Sequence, residues 1–409
     1  MNLSFNRLQQ IANVYGESFY ILDSKQFTDN FNELQDAFRK IYPETYIAYS
    51  YKTNYTPKLC RIVNELGGFA EVVSEMEIEI AKRVGVPAEK ITFNGPYKNS
   101  AAIKKLLLEG GCVNIDSIEE AKFIESIANK NKSHIINVGV RSNFDIHDGV
   151  LSRFGIDTKG DDYDCIINMI TKTKNIQLRE MHCHFATRAL ETWTPRAEGM
   201  LDLIDEKLDT LPEAIDLGGG LFGKMGETLK TQFSSYIPTY DEYASAVAKL
   251  FAEKYGTLEN MPKLVIEPGS ALVGDCMKFA AKVTGIKKVR GKAIATLLGS
   301  IYNINPTLNT KNPPITVYHE NDNDLKNYKN LDFGGFTCIE TDYLYRNYSG
   351  KLKIGDYVVF DNVGSYSVVL KPPFILPNFA IIDCSWDDKE VELIKEAETF
   401  DDLFHTFRF

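Results

Sequence analysis

A lysine that follows an apolar run is the first residue in this sequence that could carry covalent chemistry. Residues 45–51 are mostly aromatic, β-branched or small, which favours a buried strand, and Lys52 comes directly after them. A lysine at the mouth of a core is partly desolvated, so it loses its proton more readily and becomes nucleophilic. We therefore predict that Lys52 is a Schiff-base lysine. The alternative is a lysine that extends from a strand end into solvent.

Glycines, a glutamate and two histidines end three other apolar runs. Gly218–Gly220 would let the backbone approach an anion closely with its N–H groups as donors, although a flexible loop tip is the alternative. Glu267 ends a buried run, where an unpaired carboxylate is costly, so it requires a protonated ring nitrogen or a structural salt bridge. His182 and His184 share one face of a strand, and His182 is expected to be a packed core histidine. Because no third ligand matches their position, we predict no metal site.

Apolar runs alternate with helical segments between residues 27 and 272, which we take as the first domain. Eight strands alternating with helices over about 250 residues predict a (β/α)8 TIM barrel, with an open doubly wound sheet as the alternative. In a barrel the carboxyl ends of the strands meet at one face, where active sites lie. The lysine, the histidines, the triple glycine and the glutamate are therefore predicted to converge. The eight runs end at Ser50, Val73, Phe93, Ile115, Val140, His184, Leu217 and Ile266.

A second domain, with a different pattern of secondary structure, is predicted to be formed by residues 1–26 together with residues 273–409. Helical periodicity fades after residue 280, and short β-rich runs appear at residues 293–298, 357–360 and 366–370. They predict a mainly antiparallel β domain that includes the N-terminal strand near Tyr20, so that the barrel is inserted before the C-terminal β domain. Residues 303–324, rich in Asn, Pro and Thr, are predicted to form a long loop.

The charge, the apolar runs and the cysteine pattern of the sequence argue against nucleic-acid and membrane partners. With a net charge of −10 and no Lys/Arg-rich run, the chain of 409 residues is not expected to bind nucleic acid. We find no secretion signal in residues 1–20 and no apolar run as long as a membrane helix, so no membrane partner is expected. The seven cysteines are scattered without CxxC pairs, which favours a reducing cytoplasm. A cytoplasmic enzyme acting on a small molecule is predicted.

A series of motifs, taken in order, resembles the alanine racemase-like (fold type III) pyridoxal-phosphate enzymes, and within them the diaminopimelate/ornithine decarboxylase group. The resemblance extends from Tyr15 to Phe374. The motifs are Tyr49–Asn54 around the lysine, Gly68–Ser74, Leu151–Gly155, His184–Thr187, Ile215–Gly220, Glu267–Gly269, Gly335–Cys338 with Asp342, and Gly364–Tyr366. Ala186–Thr187 stands where the family usually has Gly-Ser.

The resemblance implies an amino-acid decarboxylase that uses pyridoxal 5'-phosphate. Lys52 would bind the cofactor, His184 would stack on its ring, Glu267 would keep the pyridine nitrogen protonated, and Cys338 would return a proton to the product carbon. A buried structural cysteine is the alternative for Cys338. The other implied cofactor contacts are Glu71, Arg153, Thr187, Gly218, Gly219, Gly220, Gly269, Ser270 and Tyr366. The family also implies an obligate homodimer, in which Cys338 and Asp342 approach the partner's lysine.

The sequence departs from the family pattern where the substrate's distal end is expected. Ser270 stands where the family usually has an arginine, and Ile339 where it usually has an acidic residue that receives a distal amine. Residues 304–309 lack the arginine and tyrosine that bind the distal carboxylate of diaminopimelate. Glu340 could take the acidic role through a local shift. The substrate contacts are predicted at Asn305, Asn309, Ile339, Glu340 and Asp342.

These departures predict a substrate other than meso-diaminopimelate or ornithine. An amino acid or amino-acid conjugate with a neutral or bulky distal portion fits better, as in a specialised biosynthetic pathway, because a site built for a charged group discriminates poorly without its partners. Four alternatives remain open: the diaminopimelate decarboxylase of lysine synthesis, an amino-acid racemase or epimerase, a non-catalytic pyridoxal-phosphate-binding protein, and a Schiff-base aldolase without cofactor.

Overall fold

The structure, a computed structural model, describes residues 3–384 and 391–409. The chain divides into two compact units. The first, called the β unit here, contains residues 1–28, 223–234 and 272–409. The second, called the barrel unit, contains residues 29–222 and 235–271. The domain limits predicted from the sequence, 27–272 and 1–26 plus 273–409, stay a prediction. Residues 1–2 and 385–390 of the predicted second domain lie outside the described residues.

The strands are numbered in chain order across both units. They are β1 Phe19–Leu22, β2 Thr45–Ser50, β3 Phe69–Val72, β4 Ile91–Phe93, β5 Cys112–Ile115, β6 Ile136–Asn143, β7 Ile156–Asp157, β8 Ile176–His182, β9 Ala214–Asp216, β10 Lys263–Ile266, β11 Met277–Val289, β12 Lys292–Leu297, β13 Ile315–Tyr318, β14 Lys326–Gly334, β15 Tyr343–Leu352, β16 Tyr357–Phe360, β17 Ala380–Asp383 and β18 Glu392–Lys395.

The helices are numbered in the same way. They are α1 Phe5–Tyr15, α2 Ser24–Arg39, α3 Pro57–Glu65, α4 Glu75–Arg83, α5 Ser100–Leu108, α6 Ile118–Lys130, α7 Asp161–Lys172, α8 Trp193–Lys207, α9 Glu227–Lys230, α10 Tyr240–Tyr255, α11 Ser270–Val273, α12 Ile301–Ile304 and α13 Phe400–Phe404. Short 3-10 turns occur at Tyr51–Thr53, Ala88–Lys90, Leu190–Thr192 and Gly274–Cys276. No helix of the described residues has both the length and the apolar character needed to cross a membrane.

The barrel unit contains a closed barrel of eight parallel strands, as predicted from the sequence. The order is β2-β3-β4-β5-β6-β8-β9-β10, and β10 pairs with β2 to close the ring. The two-residue β7 adds to β6 outside the ring. Five of the six residues of β2 are buried, which explains why this run of aromatic and β-branched residues forms a strand. Closure places every strand's carboxyl end at one rim, and the site below is built there.

The β unit is a mainly antiparallel nine-stranded sheet with the order β15-β14-β12-β11-β1-β17-β18, and β16 pairs with both β11 and β13. Strand β1 is antiparallel to β11 and parallel to β17, so the prediction that the N-terminal strand belongs to this sheet is confirmed. Helix α1 packs Leu8 and Ile11 against Phe19 of β1 and Val359 of β16. The predicted fold class, a barrel with a mainly antiparallel β domain, is therefore confirmed.

Two local predictions in the β unit are wrong. Residues 366–370 form turns instead of a strand, because Tyr366 has a φ of 64°, a left-handed conformation that interrupts an extended chain. Residues 303–324 are not one long loop, since β13 forms within them and pairs with β16. Helices α1 and α7 were not predicted, although Ser4 caps α1 by accepting a hydrogen bond from the Arg7 N–H.

The capping box of α10 allows a test of local stability. The Thr239 hydroxyl accepts from the Glu242 N–H at 3.3 Å, and the Glu242 carboxylate accepts from the Thr239 N–H at 2.8 Å. We expect Thr239→Ala to lower the free energy of unfolding by about 1 kcal/mol in chemical denaturation. The control is Thr171→Ala in α7, where the exposed hydroxyl bonds to the Ile167 carbonyl, and a change within about 0.5 kcal/mol is expected. Equal effects of the two substitutions would contradict the capping role.

Candidate active site

A cavity of about 260 Å³ lies in the barrel unit among residues at the carboxyl ends of the strands. The predicted Lys52, Glu71, Arg153, His184 and Glu267 all line it. The cavity is also lined by Val73, Asn94, Gly95, Pro96, Arg141, Phe154 and His182, of which Asn94 and Arg141 directly follow the predicted strands that end at Phe93 and Val140. The convergence expected from the strand ends is therefore present for the barrel residues.

The amine of Lys52 is held at the cavity by a carboxylate of the neighbouring strand. Lys52 lies in the 3-10 turn after β2, and Ser50 pairs with Glu71 in the ladder between β2 and β3. The Lys52 ammonium donates to the fully buried Glu71 carboxylate and lies 3.4 Å from the Ser50 hydroxyl. Its side chain is 32% exposed, so the amine is oriented by Glu71 while remaining accessible from the cavity.

Glu267 is the ionised carboxylate at the base of this cavity. The Asn94 amide donates to it at 2.6 Å, and His182 Nε2 lies 3.4 Å away. Burial raises the pKa of Glu267, but attraction and hydrogen bonding from His182, with the charge of Lys52, lower that pKa well below its usual range. The side chain is 1% exposed, so this negative charge is shielded from water and acts strongly on whatever the cavity binds.

Two other buried carboxyl groups beside Glu267 hold their protons more firmly than usual. Burial, together with repulsion from Glu267 and Glu180, raises the pKa of Asp216 well above its usual range. The pKa of Glu180 is raised mainly by burial. Neighbouring carboxyl groups whose pKa values are driven apart in this way take different protonation states. The negative charge is therefore concentrated on Glu267.

A chain of amides connects Glu180 to the cavity. The Asn114 amide donates to Glu180 at 2.6 Å and to the Asn94 side-chain oxygen at 2.7 Å, and Asn94 in turn donates to Glu71 and Glu267. This path needs Gly139, because a Cβ at that position would lie 1.7 Å from the Asn114 oxygen. Sequence reasoning missed Asn114 and Glu180, whose only signal is that they are polar residues inside apolar strands.

His184 is a neutral ring fixed by the glycine loop. Its Nδ1 accepts from the Gly219 N–H at 3.0 Å, and burial lowers the pKa of His184 to about 4. At neutral pH the ring therefore carries its proton on Nε2. The 3.6 Å approach of Nδ1 to Glu267 is then no salt bridge. The ring is held in one orientation, with a face available for stacking.

The three glycines of the predicted anion site have different roles. The Gly218 N–H donates to Asp216 at 2.7 Å, and the Gly219 N–H donates to His184. Gly218 has a φ of 70°, and a Cβ there would lie 2.5 Å from the Cys183 carbonyl. The Gly220 N–H donates to no group in the described part of the chain. Of the three, Gly220 alone offers its N–H to a ligand, and the other two shape the loop.

The remaining predicted barrel residues surround this loop or the cavity mouth. The exposed Arg153 places its guanidinium 4.1 Å from the centre of the Phe154 ring, and the Thr187 hydroxyl donates to Asp148. Gly269 is packed so closely that a Cβ would lie 2.0 Å from the Thr53 hydroxyl. Ser270 begins the short helix α11 and belongs to the barrel unit. Their contacts with a cofactor stay predictions.

The other predicted site residues belong to the β unit. Cys338 and Glu340 are exposed, and Ile339 is half-buried. The buried Asp342 clamps this loop, since its carboxylate accepts from the Thr337 hydroxyl at 2.6 Å and from the Ile301 N–H at 2.7 Å.

The remaining three are also described within the β unit. Asn305 and Asn309 bond to each other at 2.7 Å, and Tyr366 lies in the turn described above. The role of each β-unit residue toward cofactor or substrate stays a prediction.

One set of buried side chains has the composition of a metal site. Ligand atoms of His182, Asp216 and Glu267 all lie within 4.8 Å of one another. A metal would require Asp216 to lose its proton, against the rise in its pKa. The cluster is therefore better explained as part of the charge arrangement around Glu267 than as a metal site. The absence of a metal stays a prediction.

The comparisons with known proteins agree with this geometry. The family model "pyridoxal-dependent decarboxylase, pyridoxal binding domain" matches residues 28–274. A diaminopimelate decarboxylase of Methanocaldococcus jannaschii is 27% identical, with 96% of this chain and 92% of the relative covered. One of Bacteroides thetaiotaomicron is 30% identical, with 86% of this chain and 91% of the relative covered.

Solved structures show the same fold. The crystal structure of diaminopimelate decarboxylase from M. jannaschii matches with a TM-score of 0.85 at 24% identity, over 98% of this chain and 94% of that one. The lysine/ornithine decarboxylase of Vibrio vulnificus complexed with putrescine matches with a TM-score of 0.74 at 18% identity, over 93% of this chain and 97% of that one. At these identities the likeness concerns the fold alone.

The low pKa of His184 predicts a pH-dependent loss of stability in the protein without cofactor. Because that pKa falls from 6.5 to about 4 on folding, the unfolded chain binds a proton in this window that the folded chain does not. Stability should therefore fall as the pH drops from 6.5 towards 4, and less steeply in His184→Phe. Denaturation midpoints across this range measure the slopes. His147→Phe, at an exposed position, is the control and should retain the wild-type slope, whereas equal slopes for all three proteins would contradict the assignment.

Proposed function

The chain belongs to the pyridoxal-dependent decarboxylase family, and from that premise we propose that it decarboxylates an amino acid or amino-acid conjugate with a neutral or bulky distal portion. The enzyme is a pyridoxal-phosphate-dependent amino-acid decarboxylase, a carboxy-lyase. The choice of substrate, and its place in a specialised biosynthetic pathway, is the proposal. The observation that carries it is that Asn305 forms its side-chain hydrogen bonds within its own loop and that Ile339, rather than an acid, follows Cys338.

The barrel residues suit pyridoxal phosphate. An accessible amine at Lys52, an ionised Glu267, a fixed His184 ring and an open Gly220 N–H match the cofactor's aldehyde, pyridine nitrogen, ring face and phosphate. Lys52 would attach the cofactor covalently, and the other three would hold it. When bound, the cofactor supplies a sink for the electron pair that remains after the α-carboxylate leaves.

The protein's own residues then serve this chemistry. Glu267, whose pKa is lowered while the pKa values of Asp216 and Glu180 are raised, would hold a proton on the pyridine nitrogen. Glu71 orients the Lys52 amine through the hydrogen bond that it accepts from it. Cys338, an exposed thiol in the β unit, is proposed to return the proton that replaces carbon dioxide on the product.

The contacts of Asn305 support the proposed substrate class. Its side-chain oxygen accepts from Thr307 at 3.1 Å and from both the side chain and backbone of Asn309, and its amide donates to the Asn309 carbonyl at 2.8 Å. These internal bonds occupy the side-chain oxygen and one of the two amide N–H groups of Asn305. The half-buried Ile339 offers no hydrogen bond at all. A charged distal group left unpaired here would bind worse by about 1–3 kcal/mol.

Diaminopimelate decarboxylase is the second candidate. It is favoured by the name of both relatives above, which are similar over most of the chain. The two candidates differ in the charge at the distal end, since meso-diaminopimelate has a second ammonium and a second carboxylate there. Substrate preference therefore separates them.

We expect carbon dioxide release to distinguish the candidates. With the purified enzyme and added cofactor, kcat/KM for meso-diaminopimelate and for ornithine should be about tenfold to a hundredfold below that for the best substrate with a neutral or bulky distal portion. Lys52→Ala is the control and should release none. Ile339→Glu should raise the value for ornithine because it restores a partner for the distal amine. Efficient turnover of meso-diaminopimelate would refute the proposed substrate class in favour of the second candidate.

We further propose a cytoplasmic homodimer whose two active sites are shared, as the family resemblance implies. Lys52→Ala and Cys338→Ala chains, each inactive alone, should complement when co-expressed, because a mixed dimer contains one site with both native residues. Random pairing predicts roughly a quarter of wild-type turnover. If each site used Lys52 and Cys338 of one chain, the mixture would remain inactive.

A further inference from the structure

A fully buried arginine lies behind the two loops that form the anion site. Arg196 of α8 is 0% exposed. Its guanidinium donates to the carbonyls of Leu217 and Gly219 at 3.1 and 2.7 Å, and to those of Phe185 and Thr187 at 3.3 Å each. It therefore ties the loop after β8 to the glycine loop after β9.

The charge of Arg196 is attracted by Asp148 and Glu267, but neither acid pairs with it directly. Among the described residues, no carboxylate forms a salt bridge with it, and its Nε makes no hydrogen bond. Burial lowers the pKa of Arg196 to about 10, so the group is still cationic at neutral pH. A buried charge without a counter-ion is costly, because carbonyl dipoles compensate it only in part. In the described part of the chain, Arg196 therefore lacks a negative charge in direct contact with it.

The loops held by Arg196 also orient the donors available to an anion. By binding the carbonyl of Gly219, the guanidinium fixes the peptide plane between Gly219 and Gly220, whose N–H has no partner in the described chain. It fixes the carbonyl of Thr187 in the same way. A phosphate on the N–H side of this loop would face the guanidinium across one layer of backbone.

We propose that Arg196 is a positioning residue for the phosphate of the cofactor, and that the phosphate dianion is its missing counter-ion. The guanidinium of Arg196 would act on the phosphate from behind the glycine loop, across its peptide groups. Ser270 at the start of α11 has no positive charge to offer the phosphate. This inference rests on pyridoxal phosphate as the cofactor but does not depend on which amino acid is decarboxylated. Arg196 would therefore govern how tightly the phosphate is held without contacting the reacting atoms.

A purely structural role for Arg196 is the competing explanation, and Tyr243 provides the matched control. Its hydroxyl donates to the Arg188 carbonyl at 2.6 Å and accepts from the Phe222 N–H at 3.2 Å, so it also supports the ends of these two loops from behind. It is fully buried like Arg196 but has no charge. Tyr243→Phe thus loosens the same loops without altering their electrostatics.

The test compares the binding of pyridoxal phosphate and of pyridoxal, which lacks the phosphate, to the full-length protein stripped of cofactor. Visible absorbance gives both dissociation constants for wild type, Arg196→Met and Tyr243→Phe. We expect Arg196→Met to weaken binding of pyridoxal phosphate about tenfold to a hundredfold while binding of pyridoxal changes little. Tyr243→Phe, which leaves the guanidinium in place, should weaken binding of pyridoxal phosphate by a clearly smaller factor than Arg196→Met does.

Two further measurements keep the test decisive. In Arg196→Lys, which retains the charge and is a smaller change if the methionine variant does not fold, the preference for the phosphorylated form should persist. The ³¹P resonance of the bound cofactor reports the second pKa of its phosphate, which is about 6 in free solution. We expect this pKa to be lower in wild type than in Arg196→Met, because the guanidinium stabilises the dianion. If Arg196→Met weakened binding of both ligands equally, or weakened neither, the role of Arg196 would be refuted. The proposed decarboxylase function would not be affected by that result.

Discussion

The site depends on keeping one buried carboxylate, Glu267, ionised beside carboxyl groups that hold a proton more firmly or are paired with a cation. Glu71, Glu180, Asp216 and Glu267 are all inaccessible to water, and four negative charges in so small a volume would not be tolerated. The raised pKa values of Asp216 and Glu180, and the Lys52 ammonium that donates to Glu71, leave Glu267 as the concentrated negative charge. The barrel makes this possible because each acid comes from a different strand, and the Asn94 and Asn114 amides fix the distances between them.

The positive charge of Arg196 lies behind the loops that follow β8 and β9. Arg196 is as deeply buried as Glu267, and both act on the cavity through short hydrogen bonds to groups that themselves line it or shape it. His184 connects the two regions, since its ring lies near Glu267 and accepts from Gly219, whose carbonyl Arg196 binds. A ligand with a cationic ring nitrogen and an anionic phosphate would therefore be oriented end to end by fixed charges.

Sequence reasoning located the parts of the site that follow from topology. Lys52 and Glu267 were identified because parallel strands in a barrel place their carboxyl ends together, and that geometry requires no knowledge of side-chain contacts. Asn114, Glu180 and Arg196 were missed since their roles arise from contacts between residues distant in the chain. The wrong strand at residues 366–370 has a similar cause: a β-rich composition was overridden by the positive φ of Tyr366.

The position of β1 has a consequence for synthesis of the chain. All four of its residues are apolar or aromatic and buried, and its neighbours in the sheet are β11 and β17, with Phe19 opposite Ala280 on one side and Ala380 on the other. A ribosome adding about 5–20 residues per second reaches those partners tens of seconds after β1 has emerged. During that interval β1 exposes apolar side chains and unpaired backbone groups, because its partner strands do not yet exist. We therefore expect nascent-chain chaperones to bind this segment early in synthesis.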